Sequence, residues 1–317
     1  MTASEIALRP PTFADVPAIV NLLQSAAEST GFPVSGTDEV ERWFTSPTFD
    51  VAGNFRLAVT PAGGLLAYAD LVDMGGEHSA FMLDLRVPPG SQESGAAELM
   101  LEWAEQRAQE LAEEDAGIFQ AILPQNVFGR DLLERHGFEP VRHSFEMLID
   151  FEEQPPAPKW PDGIAVRMFE LGRDERSVWS AQQEAFRDSW EWHEQPFEEW
   201  KHFTLREGEF DPALNFLAVE GEEVAGISLC RPKAPRREDY GWVEILGVRR
   251  PWRRRGLGVA LLRHAFREFH RRGVRGVGLG VDAESPTGAT RLYERAGMRV
   301  VDRAAIYRKA VAPASSR

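Results

Sequence analysis

The chain has 317 residues, 43% of them hydrophobic and 27% charged, which fits two ordinary domains or one large one of soluble globular composition. Its net charge of −14 is uneven: residues 1–155 carry 8 Lys+Arg against 26 Asp+Glu, and the remainder carries 28 against 24. The acidic half argues against broad nucleic-acid binding, and the basic residues of the other half suit a small polyanion better than a duplex. Cys230 is the only cysteine, which excludes an intrachain disulfide and a cysteine-based metal cage, and it is expected as a small buried hydrophobe in a strand rather than a nucleophile. No run of about 18 apolar residues marks a membrane span, and Met1 to Pro11 lacks a signal-peptide pattern, so a cytoplasmic protein is expected.

In chain order, alternation and 3.6-residue spacing predict a strand at 6–9 and helices at 14–27 and 38–44. Strands follow near 54–60, 64–72 and 79–87, then a long helix over 94–112, a strand at 117–122, a short helix at 126–136 and two final strands. Glu152-Glu153-Gln154-Pro155-Pro156-Ala157-Pro158 reads as an extended linker. The same order then returns: 164–167, 175–186, 196–203, 214–219, 223–231, 240–248, 256–272, 275–281 and 286–296. Short turns between several strands predict a mixed α/β fold, with a mostly antiparallel sheet flanked by helices.

The return is an internal repeat. Ile6-Ala7-Leu8-Arg9 matches Ile164-Ala165-Val166-Arg167, and Leu57-Ala58-Val59 matches Leu217-Ala218-Val219. Asn54-Phe55 matches Asn215-Phe216, and Leu132, Glu134, Arg135 and Gly137 recur as Leu292, Glu294, Arg295 and Gly297. The expected domains are therefore 1–151 and 163–312, joined by 152–162, with a disordered tail at 313–317.

Within the second copy, Val243 to Val248 is an apolar strand interrupted by one charge, Glu244. Arg253-Arg254-Arg255-Gly256-Leu257-Gly258 follows, and a helix begins at once. A glycine-bearing turn feeding a helix N-terminus aims several N–H groups and the helix dipole at one point, where an anion is favoured. The arginines add fork-shaped donors. A phosphorylated ligand is expected here.

These residues resemble the GCN5-related N-acetyltransferases. The loop matches that family's Gln/Arg-x-x-Gly-x-Gly/Ala pattern, and Leu292-Tyr293-Glu294-Arg295-Ala296-Gly297-Met298 matches its Leu-Tyr-x-x-x-Gly-Phe helix, with Met in place of Phe. The resemblance covers 163–311 and, more weakly, the first half. The doubling is similar to the tandem acetyltransferases of the mycothiol synthase type. It implies two tandem acyl-CoA N-acyltransferase domains and acetyl-CoA as acyl donor, with no metal. It places the pyrophosphate on the backbone N–H groups of Arg254, Arg255, Gly256, Leu257, Gly258 and Val259, counts Arg253 among the cofactor-binding residues, and lays the pantetheine arm along Leu246, Gly247 and Val248. Ser285 stands near the family's cofactor-contacting Asn, and with Pro286 it is expected to cap the last helix. The resemblance makes Tyr293 the acid for the leaving thiolate. Glu244 is the candidate base, on the argument that alternation puts it on the face of Leu246 and Val248, with Asp282 and Glu284 as alternatives.

Aligned on the repeat, the loop faces Gln92-Glu93-Ser94-Gly95-Ala96-Ala97, Glu98 faces Val259, and Leu133 faces Tyr293. The first copy is expected to be degenerate, since its acids repel phosphate and Leu133 has no proton to give. Trp190, Glu191, Trp192, His193 and Glu194 form either a cage for a cationic amine or a hydrophobic helix face with solvated acids. His193 has no His or Cys partner at zinc-ligand spacing. The expected activity is acetylation of a small-molecule primary amine by a monomer or homodimer, with no nucleic-acid or membrane partner. Acetylation of a cysteinyl aminosugar in mycothiol synthesis, peptide or protein acetylation, and non-catalytic acetyl-CoA binding stay open.

Overall fold

The computed structural model describes residues 6–32, 36–74, 78–206 and 210–314. The chain divides into two compact units, one of residues 1–143 with 304–317 and one of 144–303.

In the first unit β1 (Ala7–Arg9), β2 (Phe55–Val59), β3 (Leu65–Asp73), β4 (Ala80–Arg86), β5 (Ala116–Ile122) and β12 (Arg299–Val311) lie side by side in that order. All neighbours are antiparallel except β4 and β5. Side chains alternate between two cores. Ala58 packs with α4 (Ala96–Leu111) and α5 (Val127–Arg135), and Leu57 with α1 (Val16–Thr30) and α2 (Thr37–Phe44).

The second unit repeats this plan. Its sheet runs β6 (Glu139–Asp150), β11 (Gly276–Asp282), β10 (Tyr240–Val248), β9 (Glu223–Arg231), β8 (Phe216–Glu220), β7 (Ile164–Met168). Phe216 and Ala218 face the core under α8 (Leu257–Arg271) and α9 (Ala289–Arg295). Leu217 and Val219 face the core under α6 (Glu175–Phe186) and α7 (Phe197–Thr204). Burying Leu261 or Phe266 fully stabilises by about 1.5–3 kcal/mol each, so this packing holds α8 against the sheet. The repeat extends to an ion pair. Arg9 grips Asp15 at 2.6 and 2.8 Å, as Arg167 grips Asp174 at 2.5 and 2.8 Å, each tying the first strand to the start of the first helix.

Two expectations change. The units depart from 1–151 and 163–312 because the last strands are exchanged. Ser144–Asp150, from the first copy, pairs with β11, and Ala305–Val311, from the second, pairs with β5. Each copy also ends in one long strand rather than two. The segment 152–162 has no helix or strand, in keeping with an extended linker, and it is docked: Arg267 donates to Pro155 O at 2.9 Å, and Trp160 meets His264 edge-on at 5.7 Å. At the tail, Ala314 N–H bonds Gln109 O, and 315–317 lies outside the described residues.

Candidate active site

The parallel pair β10–β11 is short. Tyr240, Gly241 and Trp242 pair with Gly276, Val277 and Gly278, and the strands then part. β10 continues along β9 to Val248, and β11 continues along β6 to Asp282. Glycine is needed at the joint. A Cβ on Gly276 would stand 2.2 Å from Ile149 O, and one on Gly278 would stand 2.6 Å from Leu148 and 2.8 Å from the Trp242 ring. Beyond Trp242, one side of Leu246–Val248 faces a gap. Arg249 N–H bonds Ala225 O on β9, so alternation turns the N–H groups of Leu246 and Val248 the other way, into that gap.

The loop lies just past the end of β10. Arg254 (φ 60°) and Gly256 (φ 85°) are both left-handed, an arrangement that brings successive N–H groups together as an anion nest. The first N–H of the helix to find an acceptor is that of Ala260, on Gly256 O; those of Arg254 to Val259 have none among the described residues. Gly258 permits close packing here, since a Cβ would lie 2.9 Å from Leu292 on α9 and 3.7 Å from Val248. Leu246, Val248, Val281, Leu257 and Tyr293 share one apolar cluster. The gap, the nest and α9 therefore converge.

The three arginines divide their work. Arg253 donates to Val248 O, Ala185 O and Asp188, and Arg255 to Glu220 and Asp162 O, so both guanidinium groups brace the loop from within. The Trp252 indole N–H also donates to Glu220 at 2.9 Å, which packs this ring into the loop. Arg254 is exposed, with no side-chain partner among the described residues. The sequence alone had credited all three with contacting phosphate.

Tyr293 is buried on α9, and burial pushes its phenol up to about 12. Its hydroxyl makes no hydrogen bond among the described residues. It is a neutral proton carrier without a partner, which is what an acid awaiting a leaving group requires. Cys230 is buried with its thiol also pushed up to about 12 by desolvation, so it is no nucleophile at neutral pH.

Two site expectations need correction. The alternation argument for Glu244 fails, because a β-bulge shifts the register between Val243 and Ile245. Val243 packs under α8, and Ile245, two residues on, packs in the opposite core. Arg231 grips the Glu244 carboxylate with two bonds, Nε at 2.8 Å and Nη2 at 3.0 Å. Ser285 does not cap α9 either. Gly288 N–H closes a turn on Ser285 O, and Gly288 itself, left-handed at φ 71°, precedes the helix. The Ser285 hydroxyl meets Thr287 at 3.0 Å. The aromatic cage is partly filled by the chain, as the Arg187 guanidinium lies 5.9 Å from the Trp192 ring.

The first unit keeps the outline with different side chains. β4 and β5 part after Met82 and Phe119, but Gln120 reaches across to Leu85 O at 3.4 Å. Leu85, Val87, Gln120, Phe128, Leu132 and Leu133 line what remains, a small open pocket. In the loop, Ser94 N–H bonds Ser91 O, and the Ser94 hydroxyl takes the N–H of Ala96. Glu98, in the first turn of α4, sets the chain's own carboxylate at the helix start.

A mixed sheet whose central parallel pair splays open beside a helix-capping anion nest is the architecture of an acyltransferase. The family described as the acetyltransferase (GNAT) family matches residues 176–298. A mycothiol acetyltransferase of Geodermatophilus obscurus is 32% identical over 295 residues, covering 90% of this chain and 91% of that protein. A solved GCN5-related N-acetyltransferase from Sphaerobacter thermophilus is 36% identical, with a TM-score of 0.76 and coverage of 100% and 99%. A tandem GNAT protein from the clavulanic acid biosynthesis pathway shares the fold at 16% identity, with a TM-score of 0.70 over 98% of this chain and 100% of that one. The chain belongs to the GNAT family and is an N-acetyltransferase, and that family takes its acyl group from acetyl-CoA. Among the described residues, no group of three or more His, Cys, Asp or Glu is placed to hold a metal, and no helix is long and apolar enough to cross a membrane.

Proposed function

We propose that the unit of residues 144–303 transfers an acetyl group from acetyl-CoA to a primary amine of a small molecule. The observation that carries this is the run of unpartnered N–H groups from Arg254 to Val259, set at the mouth of the β10–β11 gap. Those N–H groups and the Arg254 guanidinium suit a pyrophosphate. The inward N–H groups of Leu246 and Val248 suit the amides and the acyl carbonyl of an extended arm. Bound there, acetyl-CoA supplies an activated acyl group as a thioester.

The chain's own groups then have distinct tasks. Leu246 or Val248 N–H polarises the carbonyl, and direct attack by the amine needs no protein nucleophile. Tyr293 holds the proton that the departing thiolate takes. The acceptor must lose a proton before it attacks, and Glu244 relays it through water from its place beside Arg231, with Asp282 and Glu284 as the alternatives.

Within this class, a cysteinyl aminosugar is the acceptor to test first, because the relative matched along nine-tenths of this chain is a mycothiol acetyltransferase. The test is a panel of amines, the cysteinyl aminosugar and peptides among them, incubated with acetyl-CoA while free thiol is followed. Turnover with a small amine supports the proposal. Turnover with peptides alone moves the assignment to protein acetylation, and binding of acetyl-CoA without turnover of any acceptor overturns it.

A further inference from the structure

Arg253 is more than a brace. Its guanidinium donates to three acceptors on three segments: Nε to Val248 O at 3.1 Å, Nη2 to Ala185 O at 2.9 Å, and Nη1 to Asp188 Oδ2 at 2.8 Å. Val248 ends β10, Ala185 O is one of the last carbonyls of α6, and Asp188 lies two residues beyond that helix. Asp188 also receives both Nε (3.2 Å) and Nη2 of Arg250. Arg249 Nε reaches Glu184 on α6 at 2.6 Å. One carboxylate thus gathers two arginines of the loop, and a second ion pair repeats the tie one turn earlier in α6.

The tie sits next to the strained point of the nest. Arg254 is left-handed at φ 60°, a conformation unfavourable for any residue with a side chain and kept only where its neighbours hold it. Arg253 is that neighbour, pinned at three points. The first unit has no equivalent. Pro88, Pro89 and Gln92 stand where the second has Arg249, Arg250 and Arg253, and no residue from Pro88 to Ser94 takes a positive φ.

We propose that Asp188 is a positioning residue for the acyl donor: by holding Arg250 and Arg253 it keeps the N–H groups of Arg254 to Val259 aimed at one point, and it couples that loop to the end of α6. This rests on the reading of the loop as the acetyl-CoA site. The two arginines also hold the Asp188 carboxyl down to about 2, so the tie stays charged throughout the physiological range.

The test compares Asp188→Asn and Asp188→Glu with wild type, by calorimetric titration with CoA and by steady-state kinetics. The expected result for Asp188→Asn is a roughly five- to tenfold rise in CoA Kd and in KM for acetyl-CoA, above what a lone exposed ion pair supplies, because two arginines are released together. Turnover at saturation stays within about twofold, since Asp188 touches no reacting atom, and Asp188→Glu recovers most of the affinity. Unchanged or tighter CoA binding by folded Asp188→Asn overturns the proposal, as does a loss confined to kcat. If Asp188→Asn does not fold, Arg250→Gln is read by the same criteria. Arg254→Glu separates the two claims. If wild type fails to bind CoA, or binds it unchanged with Arg254→Glu, the reading of the loop fails; if Arg254→Glu weakens binding and Asp188→Asn does not, the positioning role alone fails.

Discussion

The loops at 92–97 and 253–258 have equal length and carry a left-handed glycine at the same place, Gly95 at φ 83° and Gly256 at φ 85°. They differ in what becomes of the donors. In the first loop, the Ser94 hydroxyl takes the N–H of Ala96, and Glu98 places a carboxylate in the first turn of the helix. In the second, a left-handed Arg254 turns the N–H groups together and leaves them open, while Arg253 and Arg255 are used to keep them so. A glycine pattern therefore makes a turn, and the neighbouring residues decide which charges and which N–H groups that turn presents. The same contrast runs through the sheets. Where β3 and β4 of the first unit set Asp70 directly opposite Asp84, the second unit sets Leu229 opposite Ile245.

The comparison breaks most visibly at Tyr293. Replacing it by Phe, which like Leu133 has no proton to give, should lower kcat by about 100-fold or more with acetyl-CoA binding little changed, as stopped-flow or steady-state assays would show. Unaltered turnover would remove Tyr293 from its role. Next, the double change Arg254→Glu with Arg255→Ser rewrites the second loop in the manner of the first. It should weaken acetyl-CoA binding by about tenfold or more in a calorimetric titration, through two lost cations, one added anion and a hydroxyl able to cap Leu257 N–H. Wild type should bind one acetyl-CoA per chain in the same titration, and two tight equivalents would dissolve the distinction between the units.

Smaller effects test the sheets and the cores. Burial and the facing Asp84 hold the Asp70 carboxyl well above the usual range, so the folded state retains a proton that the unfolded chain releases. Stability from this site is lost as pH rises through the folded value, and Asp70→Asn should raise the melting temperature more at pH 8 than at pH 5, by an amount equivalent to about 1 kcal/mol. In the second unit, burial lowers the pKa of His264, which lies 4.6 Å from the Phe216 ring and edge-on to Trp160. The unfolded chain then takes up a proton first as pH falls below about 6.5, and stability falls with it. His264→Phe should flatten the slope of melting temperature between pH 7 and pH 5, by a few tenths of a kcal/mol to about 1 kcal/mol.

Much of this was legible in the chain. Apolar periodicity placed the helices and strands because each element packs one face on a core. The loop was legible because its glycine, basic residues and helix start are contiguous. Contacts between distant residues were not. Asp188 lies 65 positions from Arg253, and only the excess of arginine over 249–255 hinted that anions of the chain had to meet it. The bulge at Glu244 was hidden because alternation assumes an unbroken register. Ser285 misled because Ser-Pro is a good helix start, whereas a left-handed Gly288 starts the helix three residues later. The exchanged strands escaped notice because two copies of one sequence offer similar partners, and local pattern does not say which edge a strand will join.

That exchange makes the two halves dependent on each other. Residues 144–150 come from the first copy, yet they form the strand that pairs with β11, one wall of the β10–β11 gap. A shortened gene holding only the second copy would leave that wall with a bare hydrogen-bonding edge prone to pair with other chains. The first copy thus supplies structure to the second: without residues 144–150, the second copy's sheet loses the strand paired with β11.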